Sequence, residues 1–173
     1  MRRSVLLCAF MGALAIAVPL ALAADGIQCP AEGACYGTPG ADVIHGTTGF
    51  DDIRADSGAD IVHGYSGFDI IFGATGSDTI YGEAEGDTIY GGHQGDKMYG
   101  GPGTDEIYAG CVTSCSQAGE GPDYLYGEGS ADTLGADNGK KDYISCGSGT
   151  GTDHAYIDSQ DVLLSGHDCE VIH

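Results

Sequence analysis

From Tyr36 onward an aliphatic side chain returns at every ninth position: Ile44, Ile53, Val62, Ile71, Ile80, Ile89, Met98 and Ile107. Each stands two residues after an Asp, in the units YGTPGADVI, HGTTGFDDI, RADSGADIV, HGYSGFDII, FGATGSDTI, YGEAEGDTI, YGGHQGDKM and YGGPGTDEI. The next nine residues, YAGCVTSCS, keep the length and lose the pattern. QAGEGPDYL and YGEGSADTL then restore it in unchanged phase, so the period runs from Tyr36 to Leu134 with no insertion. A fixed period with fixed roles means stacked equivalent units, a solenoid. The residues after each Asp alternate outward, inward, outward, and this predicts a three-residue strand whose aliphatic faces a core. The glycines five and two places before each Asp, such as Gly64 and Gly67 before Asp69, permit positive φ and tight backbone approach and predict turns. Two nonapeptides then make one coil, and strands stack in parallel about 4.8 Å apart.

Composition shows how thin that core must be. Beyond Ala23, Leu, Ile, Val and Phe together supply 24 of 150 residues, and glycine supplies 30. All 26 acidic residues lie in that part, opposed by Arg54, Lys97, Lys140 and Lys141 alone. Low hydrophobicity with high net charge is the composition of a disordered chain, so an ordered solenoid needs stability from outside the polypeptide. The same charge excludes nucleic-acid binding through phosphates, which requires a basic surface.

Arg2 and Arg3 precede an apolar run, Leu6 to Leu22, that closes on Ala21-Leu22-Ala23, and residues 1–23 read as a secretory signal peptide cleaved after Ala23. No second apolar run follows, so the mature chain is expected to be secreted, extracellular and without a membrane span. Six cysteines remain, and in an oxidising compartment they predict three disulfides. Fifteen connectivities exist; a locally organised chain favours Cys29–Cys35, Cys111–Cys115 and Cys146–Cys169. A zinc site at Cys111 and Cys115 lacks two further ligands at suitable spacing.

The recurring Asp is the candidate chemistry. Asp is common in turns, yet turns alone would accept Asn or Ser, and the single Asn of the chain is Asn138. Calcium takes six to eight oxygens, which one carboxylate and several carbonyls per turn supply when two turns stack. The candidate ligands are Asp42, Asp51, Asp60, Asp69, Asp78, Asp87, Asp96, Asp105, Asp123 and Asp132. Counting 18 residues per coil places Asp42, Asp60, Asp78 and Asp96 on one edge and Asp51, Asp69, Asp87, Asp105 and Asp123 on the other, with about seven inter-turn calcium sites. Without cations each column would hold carboxylates about 5 Å apart, repelling by roughly 3 kcal/mol per adjacent pair.

Several units depart from the pattern. Glu85, Gln94 and Ser130 replace the second glycine before Asp87, Asp96 and Asp132, and Ser114 takes the Asp position of the degenerate unit, breaking the first column after Asp96. Beyond Leu134 the phase slips, leaving Asp142 and Asp153 as further candidates.

These nonapeptides resemble the glycine-rich calcium-binding repeat of the RTX, or hemolysin-type, family, GGxGxDxUx with U a large aliphatic. The resemblance implies an all-β fold, a right-handed parallel β-roll that binds calcium between coils through the repeat Asp and backbone carbonyls. The closing segment DYISCGSGTGTDHAYIDSQDVLLSGHDCEVI also resembles the ends of secreted bacterial members, with Cys146 and Cys169 bridged across a terminal cap. The chain accordingly divides into signal peptide 1–23, an N-terminal cap 24–35, the repeat roll 36–134, and degenerate repeats with a disulfide-bonded cap 135–173.

No Gly-x-Ser-x-Gly elbow, His-Glu-x-x-His or P-loop occurs, and residues 24–35 are too few for a catalytic domain ahead of the roll. The expected function is therefore non-enzymatic calcium binding, with an adhesion or ligand-binding module as the alternative. That alternative would use the outward residues three places after each Asp: His45, His63, Tyr81 and Tyr99 on one face and Phe72, Tyr90, Tyr108 and Tyr126 on the other. Stacking of those rings along the strands is the structural reading of the same positions. His45 and His63 as a transition-metal pair is a third reading of the ladder.

Overall fold

The computed structural model describes residues 26–110, 121–164 and 169–172. The expected signal peptide and the Cys111–Cys115 bridge lie outside them. Among the described residues there is no helix, and the strands form two parallel sheets. One sheet stacks Ile27–Gln28, Val43–His45, Ile61–Ser66, Thr79–Ala84, Lys97–Pro102, Tyr124–Gly129, Tyr143–Ser145 and Val162–Leu163, in that order. The other stacks Ala34–Tyr36, Asp52–Arg54, Ile70–Thr75, Thr88–His93, Glu106–Tyr108, Thr133–Gly135, Asp153–Tyr156 and Cys169–Ile172. Consecutive strands alternate between the sheets, so each pair of strands is one coil of a β-roll.

The predicted inward position is the core. Ile44, Ile53, Val62, Ile71, Ile80, Ile89, Met98, Ile107, Leu125 and Leu134 are all fully buried, and the column continues through Ile144 and Ala155. Register explains why: Ile44 pairs with Val62, Val62 with Ile80 and Ile80 with Met98, so each aliphatic lies on its equivalent one coil away. The middle strands run six residues rather than three, through the glycine of the next unit, because pairing continues past the aromatic rung, as in Tyr65 with Glu83.

The roll also extends past the periodic segment. Ile27–Gln28 pairs with Ile44–His45 and Ala34–Tyr36 with Asp52–Arg54, and Cys29–Cys35 closes that first coil. After Leu134 further strands follow despite the lost phase, and Cys146–Cys169 ties the last coils together.

The stacking order corrects the sequence reading at the degenerate unit. Lys97–Pro102 pairs with Tyr124–Gly129, and Glu106–Tyr108 with Thr133–Gly135, a step of 27 residues in place of 18. The unit from Tyr108 to Ser116 offers Ser114 for the Asp and Ser116 for the inward aliphatic. Lys97–Pro102 and Tyr124–Gly129 are direct neighbours in their sheet, so everything from Tyr124 onward lies on the opposite sheet from the one that counting 18 residues per coil gives. Asp123 therefore joins the column of Asp96, and Asp132 that of Asp105. Tyr126 stacks on Tyr99, their ring centroids 4.7 Å apart, rather than following Tyr108.

Candidate metal centre

Each repeat Asp occupies the corner between a turn and the strand that follows. Its backbone N–H donates to Oδ1 of the Asp one coil later, at 2.7–3.0 Å, along two unbroken lines. One line runs Asp42, Asp60, Asp78, Asp96, Asp123, Asp142 and Asp161. The other runs Asp51, Asp69, Asp87, Asp105, Asp132 and Asp153. All ten candidates stand in these columns, and the break expected after Asp96 is closed because the Asp96 N–H donates to Asp123 Oδ1. Asp142 and Asp153 continue them. Asp161 is a further member that the sequence reading did not name; its signal is the 19-residue step from Asp142, the same as that from Asp123 to Asp142.

The second carboxylate oxygen is what distinguishes the interior of the columns. Oδ2 of Asp60, Asp69, Asp78, Asp87, Asp96, Asp105 and Asp132 is buried with no hydrogen-bond partner. A buried anionic oxygen without a donor or a cation is a large cost, and the titration of these groups reflects it. Burial pushes the carboxyls of Asp78 and Asp105 up to about 6, those of Asp69, Asp87 and Asp132 up to about 7, and that of Asp96 up to about 8. The donated N–H of the preceding Asp opposes this shift, and neighbouring carboxylates add to it: Asp87 and Asp51 for Asp69, Asp78 for Asp96.

Where the residue five places before the Asp is glycine, it makes room for that oxygen; Ala55 and Ala118 take that place before Asp60 and Asp123. A Cβ on Gly64 would lie 2.6 Å from Asp69 Oδ2 and 2.7 Å from the Gly82 carbonyl oxygen; on Gly73, 2.6 Å from Asp78 Oδ2 and 2.5 Å from the Gly91 carbonyl oxygen. Gly127 stands in the same relation to Asp132 Oδ2 and the Cys146 carbonyl oxygen. Of the two roles expected of these glycines, positive φ and tight backbone approach, the structure uses the second, and none of them has a positive φ. They are required by close approach. The left-handed residues lie four and two places before the Asp, including Tyr65, Ala74 and Glu83 at the first position and Gly67, Gly76, Glu85 and Gln94 at the second.

A buried carboxylate oxygen facing a carbonyl oxygen across the space of one missing methyl is an all-oxygen cradle, the donor set of a hard cation. The residues thus fit calcium. Among the described residues no three His, Cys, Asp or Glu side chains converge as a transition-metal site would require. His45 and His63 lie parallel, with ring planes 9° apart and centroids 5.5 Å apart, and their Nδ1 atoms face Tyr65 Oη and Glu83 Oε1.

Four copies of the RTX calcium-binding nonapeptide repeat match the chain, over residues 36–71, 64–96, 72–107 and 117–140. The chain belongs to this family. Repeats of the RTX family bind calcium, and the matched copies contain every Asp from Asp42 to Asp132 named above. No curated protein and no solved structure gives a significant match to the chain.

The outward ladders of this RTX chain are stacks of rings. His45, His63, Tyr81, Tyr99 and Tyr126 follow one another at 5.5, 5.0, 5.0 and 4.7 Å, and Phe72, Tyr90 and Tyr108 at 5.2 and 5.1 Å. The ring faces are turned toward one another along the strands, the stacking geometry that stabilises neighbouring strands. No helix among the described residues is long and apolar enough to cross a membrane.

Proposed function

We propose that this RTX protein is exported and binds about seven calcium ions between the stacked turns of its roll, as a non-enzymatic protein of the extracellular space. The observation that carries this reading is the buried, unpartnered Oδ2 of Asp60, Asp69, Asp78, Asp87, Asp96, Asp105 and Asp132. Asp60, Asp69, Asp78, Asp87, Asp96, Asp105, Asp123 and Asp132, with carbonyl oxygens such as those of Gly82 and Gly91, would hold the ions. A bound divalent cation supplies the positive charge that these oxygens lack. The protein's own contribution is to fix each carboxylate by its Oδ1 bond, exclude water and, at the units that carry the first glycine, leave Oδ2 aimed into the space that glycine makes.

Export is supported by the apolar leader of the sequence and by Cys29–Cys35 and Cys146–Cys169, since disulfides persist in oxidising compartments. The test is a calcium titration of the chelator-treated chain, followed by circular dichroism and native mass spectrometry. The β signal should appear with calcium as several ions bind, and magnesium should substitute poorly because it demands small octahedral geometry and keeps its water. A chelated chain that kept its full β signal, or one that bound no calcium, would overturn the reading.

A further inference from the structure

The ends of the columns differ from their interior in one respect. Asp42 Oδ2 accepts the Thr38 N–H at 2.6 Å and the Thr38 hydroxyl at 2.9 Å. Asp51 Oδ2 accepts the Thr47 N–H at 2.6 Å and its hydroxyl at 3.1 Å. Toward the other end, Asp142 Oδ2 accepts the Asn138 side-chain amide at 2.8 Å. In all three the donor stands four places before the Asp, within the same turn. These carboxylates need nothing more, whereas the same oxygen of Asp60, Asp69, Asp78, Asp87, Asp96, Asp105 and Asp132 is buried and unpartnered.

The backbone at that fourth position accounts for the difference. In the interior it is left-handed at every described unit: Asp56, Tyr65, Ala74, Glu83 and Glu128 have φ between 73° and 76°, and Gly92 and Gly101 have φ of 110° and 108°. None of these residues is β-branched. Thr38 and Thr47 are, and neither has a positive φ. A β-branched side chain at left-handed φ is a genuine outlier, because its second branch meets the backbone. Thr38 is restrained twice, since Pro39 follows and pushes the preceding residue toward extended backbone. Held out of the left-handed region, each Thr directs its N–H at the carboxylate of its own turn.

We propose that the residue four places before each repeat Asp decides whether that turn takes a cation, so that Thr38, Thr47 and Asn138 close the turns of Asp42, Asp51 and Asp142 with protein donors. The ion ladder is then confined to the interior, and the first coil, bridged by Cys29–Cys35, is complete without metal. This inference rests on the calcium reading above and goes beyond it in saying which turns bind. The repeat motif alone gives the opposite impression, since Asp42 and Asp51 stand in units with both glycines intact.

The test counts ions by native mass spectrometry on the full chain at saturating calcium. Thr47→Gly frees the turn to become left-handed and should add one ion to the parent count. Thr47→Val removes the hydroxyl and keeps the β-branch, so the N–H cap persists and the count should not change. Ala74→Thr, placed at an interior turn, should remove one ion. Amide exchange in calcium, with the remaining coils protected as in the parent, verifies that each variant is folded. A folded Thr47→Gly with the parent count, or a Thr47→Val that gains an ion, would overturn the proposal. Zero ions on the parent chain would instead remove the calcium reading beneath it.

Discussion

Asp87 accepts the backbone N–H of Asp69 on Oδ1 at 2.8 Å, and its Oδ2 has no hydrogen-bond partner. The carboxylate is therefore divided between two jobs. One oxygen joins coils as a backbone acceptor would, and the other is left for the ion proposed above. The Asp69 carbonyl is also committed, accepting the Thr88 N–H at 2.9 Å. Asn or Ser could make the first bond but would leave no second anionic oxygen, which is why the position is Asp in turn after turn.

Removing an interior carboxylate should cost more than removing a terminal one. Asp69→Ala leaves the Asp51 N–H without its acceptor, a loss of about 1–3 kcal/mol for a buried donor, and also deletes an ion ligand. The calcium midpoint should rise several-fold and the titration should lose cooperativity, because a solenoid is coupled only through nearest neighbours. Asp42→Ala, with its Oδ2 already capped by Thr38, should fray the first coil and leave the midpoint nearly unchanged. Equal small effects from both would mean that the Asp residues are ordinary turn formers.

Without metal, acid should favour the fold. Folded-state carboxyls pushed up to about 6 at Asp78, 7 at Asp87 and 8 at Asp96 bind protons that the unfolded chain has already released. Stability is then fully present below the ordinary carboxylate range, near 4, and declines as pH rises from there through 8. After exhaustive removal of divalent cations, circular dichroism should show more β structure at pH 5 than at pH 8. Calcium should abolish the difference, and its apparent affinity should fall as pH drops through the same window. A metal-free chain that is more ordered at pH 8 would contradict the burial described here.

Gly82 and Gly49 should respond unequally to alanine. A Cβ on Gly82 would collide with Asp87 Oδ2 and lie 2.8 Å from the Gly100 carbonyl oxygen, whereas one on Gly49 meets nothing within 4 Å. Gly82→Ala should destabilise the calcium-loaded roll by about 2 kcal/mol and weaken calcium binding. Gly49→Ala should be within about 0.5 kcal/mol of the parent. Thermal melts of both at saturating calcium make the comparison.

Reduction should act locally. Cys146–Cys169 closes a loop with a sequence separation of 23, for which chain entropy gives about 3 kcal/mol. Reducing it should raise amide exchange after residue 134 before it affects the coils between Ile61 and Pro102. Simultaneous loss of protection along the whole roll would show that the coils melt as one unit.

Sequence alone determined the repeat, the inward aliphatics and the identity of the ten Asp, because a solenoid writes its contacts at a constant spacing: Val62 meets Ile80 only because both end a nonapeptide. It could not determine which units form rungs. The unit from Tyr108 to Ser116 has the correct length, and only the pairing of Met98 with Leu125 puts Asp123 and Tyr126 on the opposite edge from the one that counting gives. Nor could it distinguish Asp51 from Asp69, identical in motif, since the difference lies in where a neighbouring N–H points. Thr47 turns its amide onto Asp51, while left-handed Tyr65 leaves Asp69 Oδ2 bare. Spacing along a chain fixes which residues meet; the sign of one backbone angle, which depends on side-chain branching and on the coil above, decides what remains for an ion.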